Sequence, residues 1–303
     1  MSDSNKSKLK GWVRVVAIII PYIITLGLFQ GLGLIVSGVG FSRTVEPNVF
    51  QNLVISFSGL VGSFLIIGIF RKNVDKKSFR SLGFQMQQFG KDVIWGLTIG
   101  ASIILLGFGL LIALGEITVS NVHFNWGSFF AGFALFVVVA LNEELLMRGY
   151  VLNNFMDSWN KYVALSVSSL IFALLHMANP NFSWIGMTNI FIAGYLLGLS
   201  YVFTRNLWFP LALHFSWNFF QGTILGFHVS GNEIWSVVEL ERSADTIWNG
   251  GSFGLEGSLL VLFLELICLV LIFLLFKNRT PEEAKIVSEL SPEPVVSNEM
   301  IEP

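Results

Sequence analysis

Eight stretches of this chain are long, apolar and nearly free of Asp, Glu, Lys and Arg: roughly 15–38, 50–70, 93–114, 124–142, 162–178, 184–203, 206–227 and 255–276. About 20 such residues suffice for a helix to cross the hydrocarbon core of a bilayer. Backbone amides and carbonyls left unpaired in that core are so costly that helices, or a closed barrel, are the only open choices. The pattern therefore predicts an all-α fold, a polytopic membrane helical bundle with about eight transmembrane helices. Composition points the same way. Of 303 residues 53% are hydrophobic and only 13% charged, against roughly 25% charged in soluble domains. So few charges could not cover a soluble protein of this size, which excludes a cytosolic globular enzyme. The single cysteine, Cys268, excludes a disulfide scaffold and a cysteine-rich metal centre. A net charge of −2 leaves no nucleic-acid footprint.

The first span follows Lys6, Lys8, Lys10 and Arg14, as in a signal peptide. It is much longer than the ~7–15-residue apolar core of such a leader and lacks a clear small-residue cleavage site, so it reads as a retained anchor. With the N-terminus inside, every Lys and Arg except Arg43 and Arg242 falls on the cytoplasmic face, as the positive-inside rule requires. The expected organisation is a basic cytoplasmic N-terminus (1–14), a transmembrane domain (15–276) with its polar motifs in 124–227, and a disordered cytoplasmic tail (277–303) rich in Pro and Glu. A polar, Gly-rich segment at 228–254 reads as an outer loop. The Phe and Trp residues read as lipid-facing or interfacial.

Ionisable side chains within apolar helices are expensive, so each is a functional candidate. The fourth span closes on Asn142-Glu143-Glu144-Leu145-Leu146-Met147-Arg148. Glu144 and Arg148, four apart, share a helical face and can pair, whereas Glu143 points about 100° away. A buried carboxylate without a cation is held basic by desolvation and suits a general base. The fifth span carries Phe172-Ala173-Leu174-Leu175-His176, with Phe172 and His176 on one face. The seventh carries His214-Phe215-Ser216-Trp217-Asn218, with His214 and Asn218 on one face and Pro210 in the first turn. Helical rise relates the three. Glu143 lies 16 residues before a turn near Trp159 and His176 lies 17 after it, so both sit about 25 Å from the tip of that hairpin. His214 joins them if the tip projects about 12 Å beyond the membrane. Interhelical packing remains open as the role of each residue taken alone. In the last span, Glu256 is expected near the outer entrance, solvated or bonded to the Gly-rich loop, and Glu265 deeper, paired inside the bundle. His123 and His228 read as surface histidines.

The ordered set Glu-Glu-x-x-x-Arg, Phe-x-x-x-His and His-x-x-x-Asn, on separate apolar helices, resembles the CPBP family. That family comprises CAAX prenyl endopeptidases and bacteriocin-processing (Abi) intramembrane proteases, with links to bacteriocin self-immunity. The resemblance covers about 124–227, and the stretch 250–257 is also similar. It implies an intramembrane endopeptidase with Glu143, Glu144, His176, His214 and Asn218 as catalytic residues and Arg148 and Phe172 in support. In this reading Glu143 takes a proton from a water held with His176, and His214 and Asn218 stabilise the oxyanion. The substrate would be a membrane-associated protein or peptide, the location the cell membrane with both termini and the site opening cytoplasmic. The family is commonly named as metalloproteases, so Glu143, His176 and His214 could hold zinc; a metal-free glutamate mechanism uses the same residues. Two other classes fit the sequence: a non-catalytic immunity or scaffolding protein, and a proton-coupled transporter relaying through Glu143, His176, His214 and Glu265.

Overall fold

The computed structural model describes residues 7–41, 46–86 and 89–280. The tail beyond 280, expected to be disordered, lies outside the described residues, as does Arg43. Nine α-helices are described: α1 (Gly11–Val36), α2 (Val49–Asn73), α3 (Phe89–Ala113), α4 (Trp126–Glu144), α5 (Asn153–Met156), α6 (Lys161–Leu175), α7 (Trp184–Thr204), α8 (Trp208–Asn218) and α9 (Leu259–Phe276). Between α4 and α5 the chain continues as a π-helix, Leu145–Leu152, so that Trp126–Met156 forms one rod. Among the described residues, seven helices are long and apolar enough to cross a membrane. The expected span at 206–227 is not among them: α8 is a shorter helix that runs on into a second π-helix, Phe219–Ile224. Nearly all of α8 is buried, because α3, α4 and α7 pack around it. The protein is an all-α membrane bundle. The described strands are β1 (Thr118–Val122) and β2 (Val238–Glu241), an antiparallel pair.

Local chemistry sets the helix ends. Asn48 and Gln51 form a reciprocal capping box at the start of α2. Asn125, Asn160, Ser183 and Ser258 cap α4, α6, α7 and α9 by accepting a backbone N–H. Pro210 does fall in the first turn of α8. Two glycines fix how closely α8 can approach α3. A Cβ at Gly96 would lie 2.6 Å from the Phe209 carbonyl oxygen, and one at Gly100 2.6 Å from that of Leu213. This small-x-x-x-small pattern lets backbones touch where apolar burial offers no drive. Ser216 adds a hydrogen bond to the Leu97 carbonyl at 2.8 Å, so its hydroxyl serves the α3–α8 contact.

At the basic end of the bundle, Asp157 accepts from Lys77 and from Arg14, both at 2.8 Å, and so ties α1 to the α5–α6 turn. Burial alone would raise its carboxyl, but the hydrogen bonds and charges of Lys77 and Arg14 outweigh it and hold Asp157 below the usual carboxylate range. A carboxylate depressed in the folded state adds stability above its unfolded value of about 3.9 and loses it as pH falls through the folded value. Thermal melts from pH 6 to pH 3 are therefore expected to show part of their decline below about pH 4. Asp157→Asn should abolish that part and leave the rest.

Candidate active site

Glu143 and Glu144 end α4 at the start of the wide π-turns, a feature frequent at functional sites. Glu144 is fully buried. Its Oε1 accepts from Arg148 Nη1 at 2.7 Å and from His214 Nδ1 at 2.8 Å. Arg148, also buried, donates to the Gly194 carbonyl at 3.2 Å and lies 4.5 Å over the Phe172 ring. The i, i+4 pair expected from sequence is present, and His214 joins it. His176 ends α6 ahead of Pro180, a residue that disfavours helix before it. Its Nδ1 donates to the Phe172 carbonyl at 2.8 Å. Both histidines thus spend Nδ1 on a fixed acceptor and turn Nε2 the other way. Each Nε2 lies 3.9 Å from the same atom, Oε2 of Glu143. That oxygen is buried and has no hydrogen-bond partner among the described residues.

These atoms face a cavity of about 940 Å³. Tyr22 and Leu26 of α1, Leu135 and Asn142 of α4, and Leu197 of α7 line it, with Asn218 on α8 one turn from His214. Two carboxyl groups, one guanidinium and two imidazoles thus meet here, and the Nδ1–H of His214 is given to Glu144 beside Arg148. A neutral His176 with its Nδ1–H given to a carbonyl carries its lone pair on Nε2.

Sequence expectations outside the three motifs fare unevenly. Glu256 is buried, not solvated. It accepts from Ser230 N at 2.5 Å and Ser230 Oγ at 2.8 Å, both in the Gly-rich loop, and from Trp217 Nε1 at 3.1 Å. Glu265 is fully buried, yet both its oxygens lack a partner among the described residues, so the expected pairing is absent. It does not line the cavity, unlike Glu256. His228 is no surface residue: it lines the cavity and donates to the Ser252 carbonyl at 2.8 Å. His123 stays at the β1–β2 edge, 3.3 Å from Glu239.

The donor set of Glu143, His176 and His214 has the right chemistry for zinc, but its spacing does not fit. With bonds of about 2.0–2.1 Å, a tetrahedral zinc sets neighbouring donors roughly 3.3–3.4 Å apart, closer than the 3.9 Å found here. Among the described residues no three His, Cys, Asp or Glu side chains form a metal-holding group. A water with hydrogen bonds of about 2.8 Å spans such gaps at an angle near ~90°.

Residues 125–220 match the model of a family described as Rce1-like, type II CAAX prenyl endopeptidase Rce1-like. Over this segment the chain is similar to that family. The Rce1-like segment runs from the cap of α4 to just past α8 and holds all three motifs, including Glu143 and both histidines that face its Oε2. Tyr22, Glu256 and Glu265 lie outside it. Neither the curated proteins nor the solved structures contain a match to the chain.

Proposed function

We propose that the protein is an intramembrane endopeptidase of CAAX-protease type, hydrolysing a peptide bond in a membrane-associated protein or peptide with water activated by Glu143. The observation that carries this reading is the unpartnered Oε2 of Glu143, facing two imidazole Nε2 atoms at 3.9 Å across one cavity. A water there gives one hydrogen bond to the Glu143 carboxylate and one to His176 Nε2. Glu143 takes the proton as the water oxygen attacks the scissile carbonyl carbon. The Nε2–H of an imidazolium at His214 and the amide of Asn218 donate to the developing oxyanion; losing one such donor costs roughly 10²–10³ in kcat. Glu143 then returns the proton to the leaving amine, so protons balance over the turnover. Glu144, itself held by Arg148, orients His214 through Nδ1, and Phe172 packs under Arg148 while its carbonyl holds the tautomer of His176. The wide donor spacing supports the metal-free route. The positive-inside distribution supports a cytoplasmic opening and cytoplasmic termini.

The test is cleavage of a fluorogenic farnesylated Cys-a-a-X peptide by the purified protein in lipid nanodiscs. Cleavage before the last three residues is expected, and its absence would overturn the CAAX-type reading. Dialysis against a chelator is expected to leave the rate within about twofold, with less than about 0.1 zinc per chain in wild type and His176→Ala alike. Loss of activity on chelation, restored by zinc, would instead establish a metal route through Glu143, His176 and His214. A non-catalytic immunity or scaffolding role would not need the Glu143 carboxylate, and function surviving in Glu143→Ala cells would favour it.

A further inference from the structure

Asn142, next to the proposed base, is held by residues that no motif marked. Its Oδ1 accepts from Ser63 Oγ on α2 at 2.5 Å, and Ser63 Oγ lies 3.0 Å from the Tyr22 hydroxyl on α1. Ser63 is fully buried and Tyr22 nearly so. An amide oxygen can only accept, so Ser63 spends its one proton on Asn142, and Tyr22 must then donate to Ser63. The chain has a single direction, Tyr22 to Ser63 to Asn142, and each bond polarises the next. Its consequence is at the far end. With Oδ1 accepting from Ser63 on α2, the NH₂ of the amide is left as a donor. Asn142 lines the cavity, is only partly buried, and gives no Nδ2 hydrogen bond among the described residues.

The position of that donor suggests what it meets. Glu143 turns toward His176 on α6 and His214 on α8, whereas Asn142 is anchored toward α1 and α2, the other wall. Val139, Asn142 and Leu146 form one stripe of the rod beginning at α4, at i, i+3 and i+7, and all three line the cavity. A chain whose scissile bond sits at the imidazoles passes this stripe with an adjacent peptide unit. A carbonyl desolvated there needs a donor. Resting on the proteolytic reading above, we propose that Asn142 binds a substrate main-chain carbonyl beside the scissile bond, with Ser63 and Tyr22 as the positioning residues that fix its amide. The contact is to backbone and so is indifferent to side-chain sequence, and it draws α1 and α2, outside the Rce1-like segment, into substrate binding.

Binding is read without turnover by the Kd of the farnesylated Cys-a-a-X peptide, labelled for anisotropy, for the Glu143→Gln protein in nanodiscs. In that background Asn142→Ala is expected to weaken binding about tenfold, the worth of one hydrogen bond of ~1.4 kcal/mol. The isosteric Asn142→Asp is expected to weaken it further, by setting a carboxylate against a carbonyl. Ser63→Ala and Tyr22→Phe should each weaken binding about threefold in the presence of Asn142 and add nothing in Asn142→Ala, because they act through it. Ser63→Thr should restore wild-type affinity. With Glu143 intact, Asn142→Ala should raise KM and leave kcat within about twofold. Unchanged Kd in Asn142→Ala, additive effects of Ser63→Ala, or a fall in kcat at constant KM would each overturn the assignment. Tight, Asn142-dependent binding by a protein that never cleaves would instead sink the proteolytic reading and leave the binding site standing.

Discussion

Glu143→Gln is expected to lower kcat by about 10³–10⁴-fold, the upper part of the range for removing a general base, with KM nearly unchanged. The substitution keeps the shape of the side chain and both neighbouring imidazoles, so it removes basicity and little else. Glu144→Gln should also be severe but for a different reason. It strips the buried Arg148 of its carboxylate and His214 Nδ1 of its charged acceptor. Its damage should therefore appear in stability as well as in kcat, whereas Glu143→Gln, at a part-buried side chain whose Oε2 makes no hydrogen bond among the described residues, should leave the melting temperature nearly unchanged. Initial rates and melting curves on the same nanodisc preparations check both. A Glu143→Gln protein within tenfold of wild type would mean that another group activates the water.

The second large effect concerns folding. Asp75 follows α2 with its side chain fully enclosed, and it is the hub of the basic end. Arg71 Nη1 donates to it at 2.9 Å, Asn154 Nδ2 at 3.2 Å and the Tyr150 hydroxyl at 3.4 Å, with Arg14 Nη1 at 3.5 Å. Arg14 and Arg71 are both buried. Removing one partner of such a buried pair costs about 3–5 kcal/mol, since the remaining charge stays desolvated. Arg71 keeps Ser81 and Arg14 keeps Asp157, so Asp75→Ala should fall at the lower end, near ~3 kcal/mol. Asp75→Asn, which keeps the shape and one acceptor, should cost less. Because α1 and α2 form one wall of the cavity, loosening this end should also weaken peptide binding. Chemical denaturation in mixed micelles measures the loss. A change below about 1 kcal/mol would mean that the cluster is solvated, in the range of a surface pair.

The membrane architecture was legible because hydrocarbon permits so few solutions: length and absence of charge define a span before any packing is known. The meeting of Glu143 and His176 was legible because both helices leave one short turn and rise alike, and the π-segment between Glu144 and the turn did not shift them out of reach. That π-segment and the one after Asn218 left no mark in the sequence, since apolar periodicity over eight or six residues does not separate the two helix types. Ser63 and Tyr22 were invisible for another reason. A serine and a tyrosine in apolar helices carry no motif, and their role exists only once α1, α2 and α4 are packed. His228 was misread because a loop residue was taken to face water, whereas the loop folds back over the cavity and hydrogen-bonds to Ser252. Glu265 was expected to be paired by the general cost of buried charge. It is buried beside Cys268 on α9 with no partner among the described residues, and no function follows from that.

The most direct test of the account compares the membrane peptides of cells carrying the wild-type protein with those of cells carrying Glu143→Gln at equal abundance, by mass spectrometry of peptide C-termini. New C-termini are expected in the wild-type cells alone, on proteins or peptides attached to the membrane. Identical sets of C-termini in the two strains would contradict hydrolysis at Glu143, and the convergence of its carboxylate with His176 and His214 would then need an explanation other than proteolysis.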